Sequence, residues 1–176
     1  MKNKKGFTLI EMMTVLAIIG ILTSIVIVSL DKVRSQSRDK KRVGDIKSLQ
    51  LALENYYNRN SHYPNTLNDL VAPGILPALP VDPSTNSTSS YLYTLVKKYS
   101  VAKGGYGSCN YYHLAIPMEN NMAEYLDSDA DVDSKNGTVA EGGYFTCTSA
   151  GILGSDSSNC SSASATSHCY DVMSKY

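Results

Sequence analysis

The N-terminal segment of the chain joins a short basic leader to a long apolar run that contains one acid. Residues 7–30, FTLIEMMTVLAIIGILTSIVIVSL, contain no Lys, Arg or Pro, and Glu11 is their only ionisable side chain. About 20 apolar residues in a helix cover the roughly 30 Å hydrocarbon core of a bilayer, so this run predicts a membrane-spanning helix. A carboxylate there is unfavourable unless a cation neutralises it, and the run contains no cation. The partner of Glu11 must therefore come from another segment or another chain.

The residues around Glu11 resemble a known processing motif. The sequence KKGFTLIE at residues 4–11 is similar to the class III signal of type IV pilins and of the pseudopilins of type II secretion. The resemblance implies that a prepilin peptidase cuts between Gly6 and Phe7 and that the new Phe7 amine is methylated. It also implies that Glu11 pairs with the N-terminal ammonium of a neighbouring subunit, which would supply the missing cation.

Two simpler interpretations of the apolar run are a secretory signal peptide and a plain single-pass anchor. A signal peptide has an apolar core of about 7 to 15 residues, and this run is longer. A plain anchor fits the length and hydropathy equally well, but it has no use for a buried acid beside Gly6 and Phe7. The combination of Glu11 with the Gly6-Phe7 pair therefore favours the pilin-like interpretation.

The positions of the charges and cysteines indicate on which side of the membrane the rest of the chain lies. The leader has three cations and residues 31–42 have six, which by the positive-inside rule opposes an extracytoplasmic head. We interpret the basic stretch 32–42 as a contact with anionic headgroups or as the solvated face of a helix. Long domains translocate largely regardless of flanking charge, and four cysteines without a C-x-x-C spacing are typical of an oxidising compartment. We therefore expect a single-pass precursor in the cytoplasmic (inner) membrane with an extracytoplasmic head.

The helical pattern continues beyond the apolar run. Residues 31–60 contain no Pro, and Ile46, Leu49, Leu53 and Tyr56 follow the spacing of one helix face. The pattern predicts one helix over residues 7–60. Its first part, residues 7–30, serves as the membrane and polymerisation helix, and its second part, residues 31–60, is amphipathic.

The remaining residues, 61–176, are predicted to form a small head. Residues 66–71 predict a helical turn and residues 79–83, LPVDP, a connecting loop, while three runs rich in aromatic and apolar residues predict strands at 91–101, 110–116 and 143–148. The predicted fold class is α+β, with the long helix packed on a small antiparallel sheet. The resemblance implies a ladle-shaped, pilin-like subunit once the leader, residues 1–6, has been removed.

An acidic run at residues 127–137 is the candidate metal site. Alternate Asp side chains in a loop can direct several hard oxygens at one centre, as Ca²⁺ requires. The alternative is a polar turn that ends in the hairpin signal Asn136-Gly137. Major pseudopilins and some pilins bind calcium in a comparable loop, so calcium is a possible cofactor, although none is required. The predicted ligands are Asp127, Asp129, Asp131 and Asp133.

The four cysteines predict two disulfide bonds in the head. Four cysteines allow three pairings, and the residues alone do not choose among them. A bridge between Cys160 and Cys169 would resemble the C-terminal disulfide loop of many type IV pilins, and it would leave Cys109 to pair with Cys147.

We expect a structural subunit and not an enzyme, because the three His residues are scattered and no nucleophile motif or phosphate-binding loop is found. The formal net charge is zero, which gives no indication of nucleic-acid binding. The main expectation is a type IV pilin that polymerises into a surface filament for adhesion, motility or DNA uptake. The alternatives are a pseudopilin in a periplasmic filament of a type II secretion system and a monomeric membrane-anchored binding protein. The expected partners are further copies of the chain, the inner membrane, the prepilin peptidase and an assembly platform.

Two sets of features divide the pilin from the pseudopilin. The cysteine pairs and the absence of Trp favour the pilus subunit. The LPVDP segment and the acidic loop favour the pseudopilin. Pseudopilins often continue Asp-Pro with Trp-Gly, whereas this chain has Ser84-Thr85 there.

Overall fold

The computed structural model of the chain describes residues 6–100, 105–127, 130, 144–147, 160 and 168–174, without the side chains of residues 25–29, 99, 100, 106 and 144. The described residues form two compact units, which lie within residues 1–37 and 38–176. The elements are α1 (Leu9–Asn60), a 3-10 turn (Leu67–Leu70), β1 (Leu92–Ser100), β2 (Gly105–Tyr106), β3 (Tyr111–Met118), α2 (Ala123–Leu126), β4 (Tyr144–Thr146) and β5 (His168–Met173).

The long helix α1 has nearly the bounds that the sequence predicts. It begins at Leu9 and ends at Asn60, where Ser61 takes a left-handed conformation with φ of 59° and its N–H donates to the Tyr57 carbonyl. Such a residue commonly closes a helix, and Pro64 prevents helical continuation through the residue before it. The α+β fold class is confirmed.

The side chains described between residues 7 and 34 of the first unit are solvent-exposed in the isolated chain. They include large apolar groups such as Phe7, Leu9 and Leu16. Among the residues that the structure describes, no helix is both long enough and apolar enough to span a membrane. The predicted span over residues 7–30 includes the side chains of 25–29, which lie outside the described part, and its role stays a prediction.

The second unit is built on the amphipathic part of α1. Ile46, Leu49 and Leu53 are fully buried and Tyr56 packs beside them, which confirms the predicted apolar stripe. In the same cluster are the inward-facing side chains of β3 and β5, among them Tyr112, Leu114, Ile116, Met118 and Tyr170. Period-2 alternation along the strands therefore presents one apolar sheet face to the helix.

The sheet is antiparallel, with strand order β2-β1-β3-β5 and β4 paired to β1. All three predicted strand runs contain a strand, and residues 66–71 contain the 3-10 turn. The sequence analysis missed β5, since it predicted no strand after residue 148. In β5 the neighbouring residues Tyr170 and Asp171 are both buried, and Asp171 pairs with Ala115 across to β3.

The two disulfide bonds join Cys109 to Cys147 and Cys160 to Cys169. This is the pairing that the resemblance implies. The first bridge links the residues just before β3 and just after β4, both of which pair with β1. The second packs on Ala115 and Leu92, on the sheet face away from α1.

Replacing Leu53 by Ala is expected to lower the free energy of unfolding by about 2–5 kcal/mol, because it removes a fully buried side chain and leaves a cavity. Leu51→Ala, two residues earlier in the same helix, is the matched control because Leu51 is 74% exposed. It should change the stability by at most about 0.5 kcal/mol. Thermal unfolding of the full chain in detergent measures both, and equal losses for the two variants would contradict this assignment of the core.

Candidate functional site

Glu11 lies in the first turn of α1 and forms a capping box with Thr8. The Thr8 backbone N–H and hydroxyl donate to Glu11 Oε2 at 2.8 and 2.6 Å, and the Glu11 N–H faces Thr8 Oγ1 at 3.4 Å. In such a box the residue before the helix and the third helical residue satisfy each other's backbone N–H groups. The sequence analysis missed this role, although the Thr-x-x-Glu pattern indicates it.

The other carboxylate oxygen, Oε1 of Glu11, receives no hydrogen bond from any described residue, because both Thr8 donors end on Oε2. Glu11 also forms no ion pair within the described part of the chain. The Phe7 side chain is 82% exposed. In a single chain, Glu11 therefore caps the helix through Oε2, and its Oε1 remains available to a cation.

Gly6, at the predicted cleavage position, has no packing role in this structure. A Cβ added there would meet nothing within 4 Å, and the backbone does not require a positive φ. The fold therefore does not require glycine at this position. A requirement for Gly6 would have to come from an enzyme that binds the segment.

Three hydroxyl groups described in the apolar part of α1 are satisfied inside the helix. Thr14, Thr23 and Ser24 donate to carbonyl groups three or four residues earlier, at 3.0, 2.7 and 2.7 Å. Such bonds hide the polar hydrogens of these side chains from the surroundings. Among the side chains that the structure describes in this stretch, Glu11 is therefore the one with an unsatisfied polar atom.

A buried ionic cluster lies where the second unit begins. Arg42 is 3% exposed, and its guanidinium donates to Asp39 Oδ1 at 2.7 Å and to Asp82 Oδ1 at 2.7 and 2.9 Å. The hydroxyls of Ser84 and Thr85 also donate to Asp82. Ser84 and Thr85 thus add two hydroxyl donors to the hydrogen bonds that this carboxylate accepts.

Asp39 joins the same cluster to the end of β3. Its carboxylate accepts the backbone N–H groups of Glu119 and Asn120 at 3.0 and 2.9 Å. Glu119 in turn forms a two-point ion pair with Arg38. The interpretation of residues 32–42 as a headgroup-binding or solvated stretch is wrong for Arg38 and Arg42, because both bind acids of the head.

The cluster changes the pKa values of its acids. Burial opposes ionisation of Asp82, but hydrogen bonds from the Ser84 N–H, Arg42 and Thr85, together with the positive charge of Arg42, outweigh it and lower the pKa to about 2. The hydrogen bond from Arg38 likewise lowers the pKa of Glu119, against a smaller opposing effect of burial. Both acids are therefore held in the ionised form that Arg38 and Arg42 require.

Of the four predicted calcium ligands, Asp127 alone lies in the described part of the structure. Asp127 is exposed and follows the last residue of α2, whereas Asp129, Asp131 and Asp133 lie outside the described residues. No group of three His, Cys, Asp or Glu side chains that could hold a metal is found among the residues that are described. The calcium site stays a prediction.

One histidine has a structural role that the sequence pattern leaves unspecified. His113 Nε2 lies 2.7 Å from Asp171 Oδ2, and neither side chain is exposed. The pair connects β3 to β5 on the sheet face away from α1. Both side chains of the pair are closed to solvent.

Comparisons with known proteins identify the family of this chain. A family profile described as a prokaryotic N-terminal methylation motif matches residues 1–27. The type II secretion system core protein G of Escherichia coli K12 is 32% identical, over 73% of this chain and 83% of that protein. The protein of the same name from Pseudomonas aeruginosa is 31% identical, over 74% of this chain and 94% of its own length. The chain belongs to the type II secretion system core protein G family.

The other comparisons are narrower. Core protein G of Pectobacterium carotovorum is 35% identical, but the match covers 53% of this chain and 60% of that protein. No solved structure matches the chain. The resemblance to pilins and pseudopilins is confirmed, and the core protein G relatives support the pseudopilin alternative better than the type IV pilin that the sequence analysis put first.

Replacing Arg42 by Ala in this core protein G relative is expected to destabilise the head by about 3–5 kcal/mol, because Asp39 and Asp82 would remain buried without their cation. Arg34→Ala is the matched control, since Arg34 forms a 3.8 Å ion pair with Asp31 at an exposed position. That pair contributes about 0–1 kcal/mol. Chemical unfolding of both variants in detergent measures the difference, and similar small losses would refute the importance of the buried cluster.

The stability of the head is expected to fall in acid. A carboxyl whose pKa is about 2 when folded, against about 3.9 for an unfolded Asp, stabilises the fold above about pH 4 and loses that contribution as the pH drops toward 2. Asp82→Asn should be less stable than the wild type at neutral pH and should show a shallower loss between pH 4 and 2. Melting temperatures across this range test the expectation, which parallel curves for the two proteins would exclude.

Proposed function

We propose that the mature chain, beginning at Phe7, is a pseudopilin that polymerises into the short periplasmic filament of a type II secretion system. The observation that carries the proposal is the similarity to core protein G of that system over most of the chain, including nearly the whole length of the Pseudomonas aeruginosa protein. In this role the chain is structural and non-catalytic. Its precursor is anchored in the inner membrane with the disulfide-bonded head on the periplasmic side.

Processing at Gly6 creates the group that Glu11 needs. Hydrolysis of the Gly6-Phe7 peptide bond by a prepilin peptidase releases residues 1–6 and leaves a free amine on Phe7, which remains cationic after methylation. The match of the N-terminal methylation profile and the lack of a packing role for Gly6 support this step. The amine of a neighbouring copy would then bind the free Oε1 of Glu11 while Thr8 keeps Oε2.

Polymerisation buries the first unit of the chain. The large apolar side chains that the structure describes in this unit are exposed in the isolated chain. Packing the first parts of many α1 helices side by side would remove these side chains from water, which is favourable. Within such a core, one charge per subunit is tolerable when an opposite charge neutralises it. Glu11 then fixes the axial position of one helix against the next.

Two variants at Glu11 separate charge pairing from helix capping. Glu11→Gln retains a side chain that can complete the capping box but removes the negative charge, whereas Glu11→Val removes both. If pairing drives assembly, both variants should reduce sheared filaments and secretion of substrate at least about tenfold. The measurement is made in cells that supply the remaining secretion machinery, with membrane insertion checked by extraction.

The intact mass of each variant provides the control. Loss of residues 1–6 shows that the prepilin peptidase acts on the variant, so that an assembly defect is not a processing defect. Normal filaments from Glu11→Gln with a defect only in Glu11→Val would reject charge pairing and leave capping as the role of this residue. Normal secretion in cells that lack the chain altogether would reject the pseudopilin function.

We further propose that the acidic loop from Asp127 binds Ca²⁺ through Asp127, Asp129, Asp131 and Asp133, since alternate carboxylates suit this ion. The Ala130 N–H donates to the Asp171 carbonyl at 3.1 Å, which fixes one point of this loop on β5. Titration calorimetry of the full chain in detergent should show Ca²⁺ binding that is absent in an Asp129→Asn, Asp131→Asn double variant. Absence of heat from the wild type at millimolar Ca²⁺ would remove the site.

A further inference from the structure

The two disulfide bonds of the head differ in their access to solvent. Cys160 and Cys169 are both 0% exposed and pack with Ala115 and Leu92. Cys109, by contrast, is exposed, as are the other residues of the turn at 107–110, and its partner Cys147 is half-buried. Thiol–disulfide exchange requires that the attacking thiolate reach a sulfur atom. A thiol in solution can therefore reach the first bridge in the folded head, whereas the second is enclosed.

The accessible bridge fastens a weakly attached strand. β4 has three residues, and among the described strands it pairs only with β1. The Cys147 N–H also donates to the Leu95 carbonyl at 2.8 Å, and the hydroxyls of Thr94 and Thr146 lie 3.1 Å apart. Phe145 and Thr146 are only half-buried. A short edge strand with little buried surface opens readily unless something else holds it.

The bridge joins β4 to a strand that is more firmly placed. Cys147 directly follows β4, and Cys109 lies two residues before β3. β3 has five residue pairs with β1 and six with β5, whereas β4 has three pairs with β1. Opening this bridge would leave β4 attached through its short pairing alone. β5 would keep both its pairing with β3 and its own bridge at Cys169.

We propose that the Cys109–Cys147 bridge is a thiol–disulfide exchange site for a dithiol, and that its opening releases β4 from β1. One thiolate of the dithiol attacks the exposed Sγ of Cys109, a mixed disulfide forms, and the Cys147 sulfur leaves as a thiolate. The second thiolate of the dithiol attacks the mixed disulfide and releases Cys109. The dithiol supplies the two electrons and becomes a disulfide, and its two protons pass to Cys109 and Cys147.

This site goes beyond the proposed role in a filament. A disulfide bond in an extracytoplasmic domain commonly serves stability alone. Exposed bridges, however, are more easily exchanged than enclosed ones, and labile bridges are the ones used for regulation. The contrast within one chain gives the enclosed bridge on β5 a permanent role and the exposed bridge beside β4 an exchangeable one.

Reduction of the folded full chain in detergent tests the proposal. After timed exposure to dithiothreitol, the free thiols are alkylated and located by peptide mapping. Cys109 and Cys147 should be modified at least about tenfold faster than Cys160 and Cys169, because the second pair requires opening of the sheet face that covers it. The chain in denaturant is the control, and there the two bridges should be reduced at similar rates. Equal rates in the folded chain, or faster reduction of Cys160–Cys169, would overturn the proposal.

Glutathione identifies the sulfur that is attacked. As a monothiol it stops at the mixed disulfide, and alkylation of the released cysteine preserves that adduct for mapping. The glutathione adduct should lie on Cys109, since this residue is the exposed member of the pair. An adduct mainly on Cys147 would contradict attack at the exposed sulfur.

Hydrogen exchange measures the release of β4. Opening of the bridge should raise the exchange rate of the Cys147 amide at least about tenfold, because its bond to the Leu95 carbonyl is then held only by short strand pairing. The amides of β5 should keep their protection. A Cys109→Ser, Cys147→Ser double variant gives the same comparison without a reductant. Unchanged exchange in β4, or an equal rise in β4 and β5, would show that the bridge does not control this strand and would reject its release.

Discussion

Arg42 is buried on the side of α1 that packs against the loops of the head, and its charge has to be matched there. Asp82 and Asp39 provide the match: Asp82 lies in the loop before β1, while Asp39 lies on α1 three residues before Arg42 and also binds the backbone after β3. A buried arginine with both acids in place fixes the register of α1 against these loops, because displacement by one residue would leave charges unpaired. The apolar stripe from Ile46 onward then packs on the sheet in that register.

The two parts of α1 have different roles, one in folding of the subunit and one in assembly. The part in the head buries its apolar stripe within one chain, so its stability is a property of the folded subunit. In the first part, the large apolar side chains that the structure describes are exposed in the isolated chain, and the hydroxyls of Thr14, Thr23 and Ser24 donate back to the helix. Glu11 closes the helix start through one oxygen and retains the other, which suits a residue that serves both folding and assembly.

The sequence predicted those features that depend on local pattern. The bounds of α1 follow from the absence of proline before Pro64, and the positions of β1, β3 and β4 from aromatic and apolar runs. It missed β5 because the adjacent Ser-rich stretch obscured a short strand in which Asp171 is buried beside His113. It misinterpreted Arg38 and Arg42 because a run of cations is normally solvent-exposed, and the acids that bind these two lie far away in the sequence. Asp82 is 40 residues from Arg42, and Glu119 is 81 residues from Arg38. Long-range pairing of this kind leaves no local signal.

The proposed assembly depends on an ion pair between Glu11 of one copy and the Phe7 amine of its neighbour, which processing creates. A density map of the filament assembled from the mature chain tests this most directly, because it locates Glu11 and the neighbouring N-terminus in the same particle. The account predicts that the Phe7 nitrogen of one copy lies within about 4 Å of the Glu11 carboxylate of the next, the limit of an ion pair. A filament in which the Glu11 carboxylate binds only Thr8 of its own chain, with the Phe7 nitrogen of the neighbouring copy directed elsewhere, would contradict it.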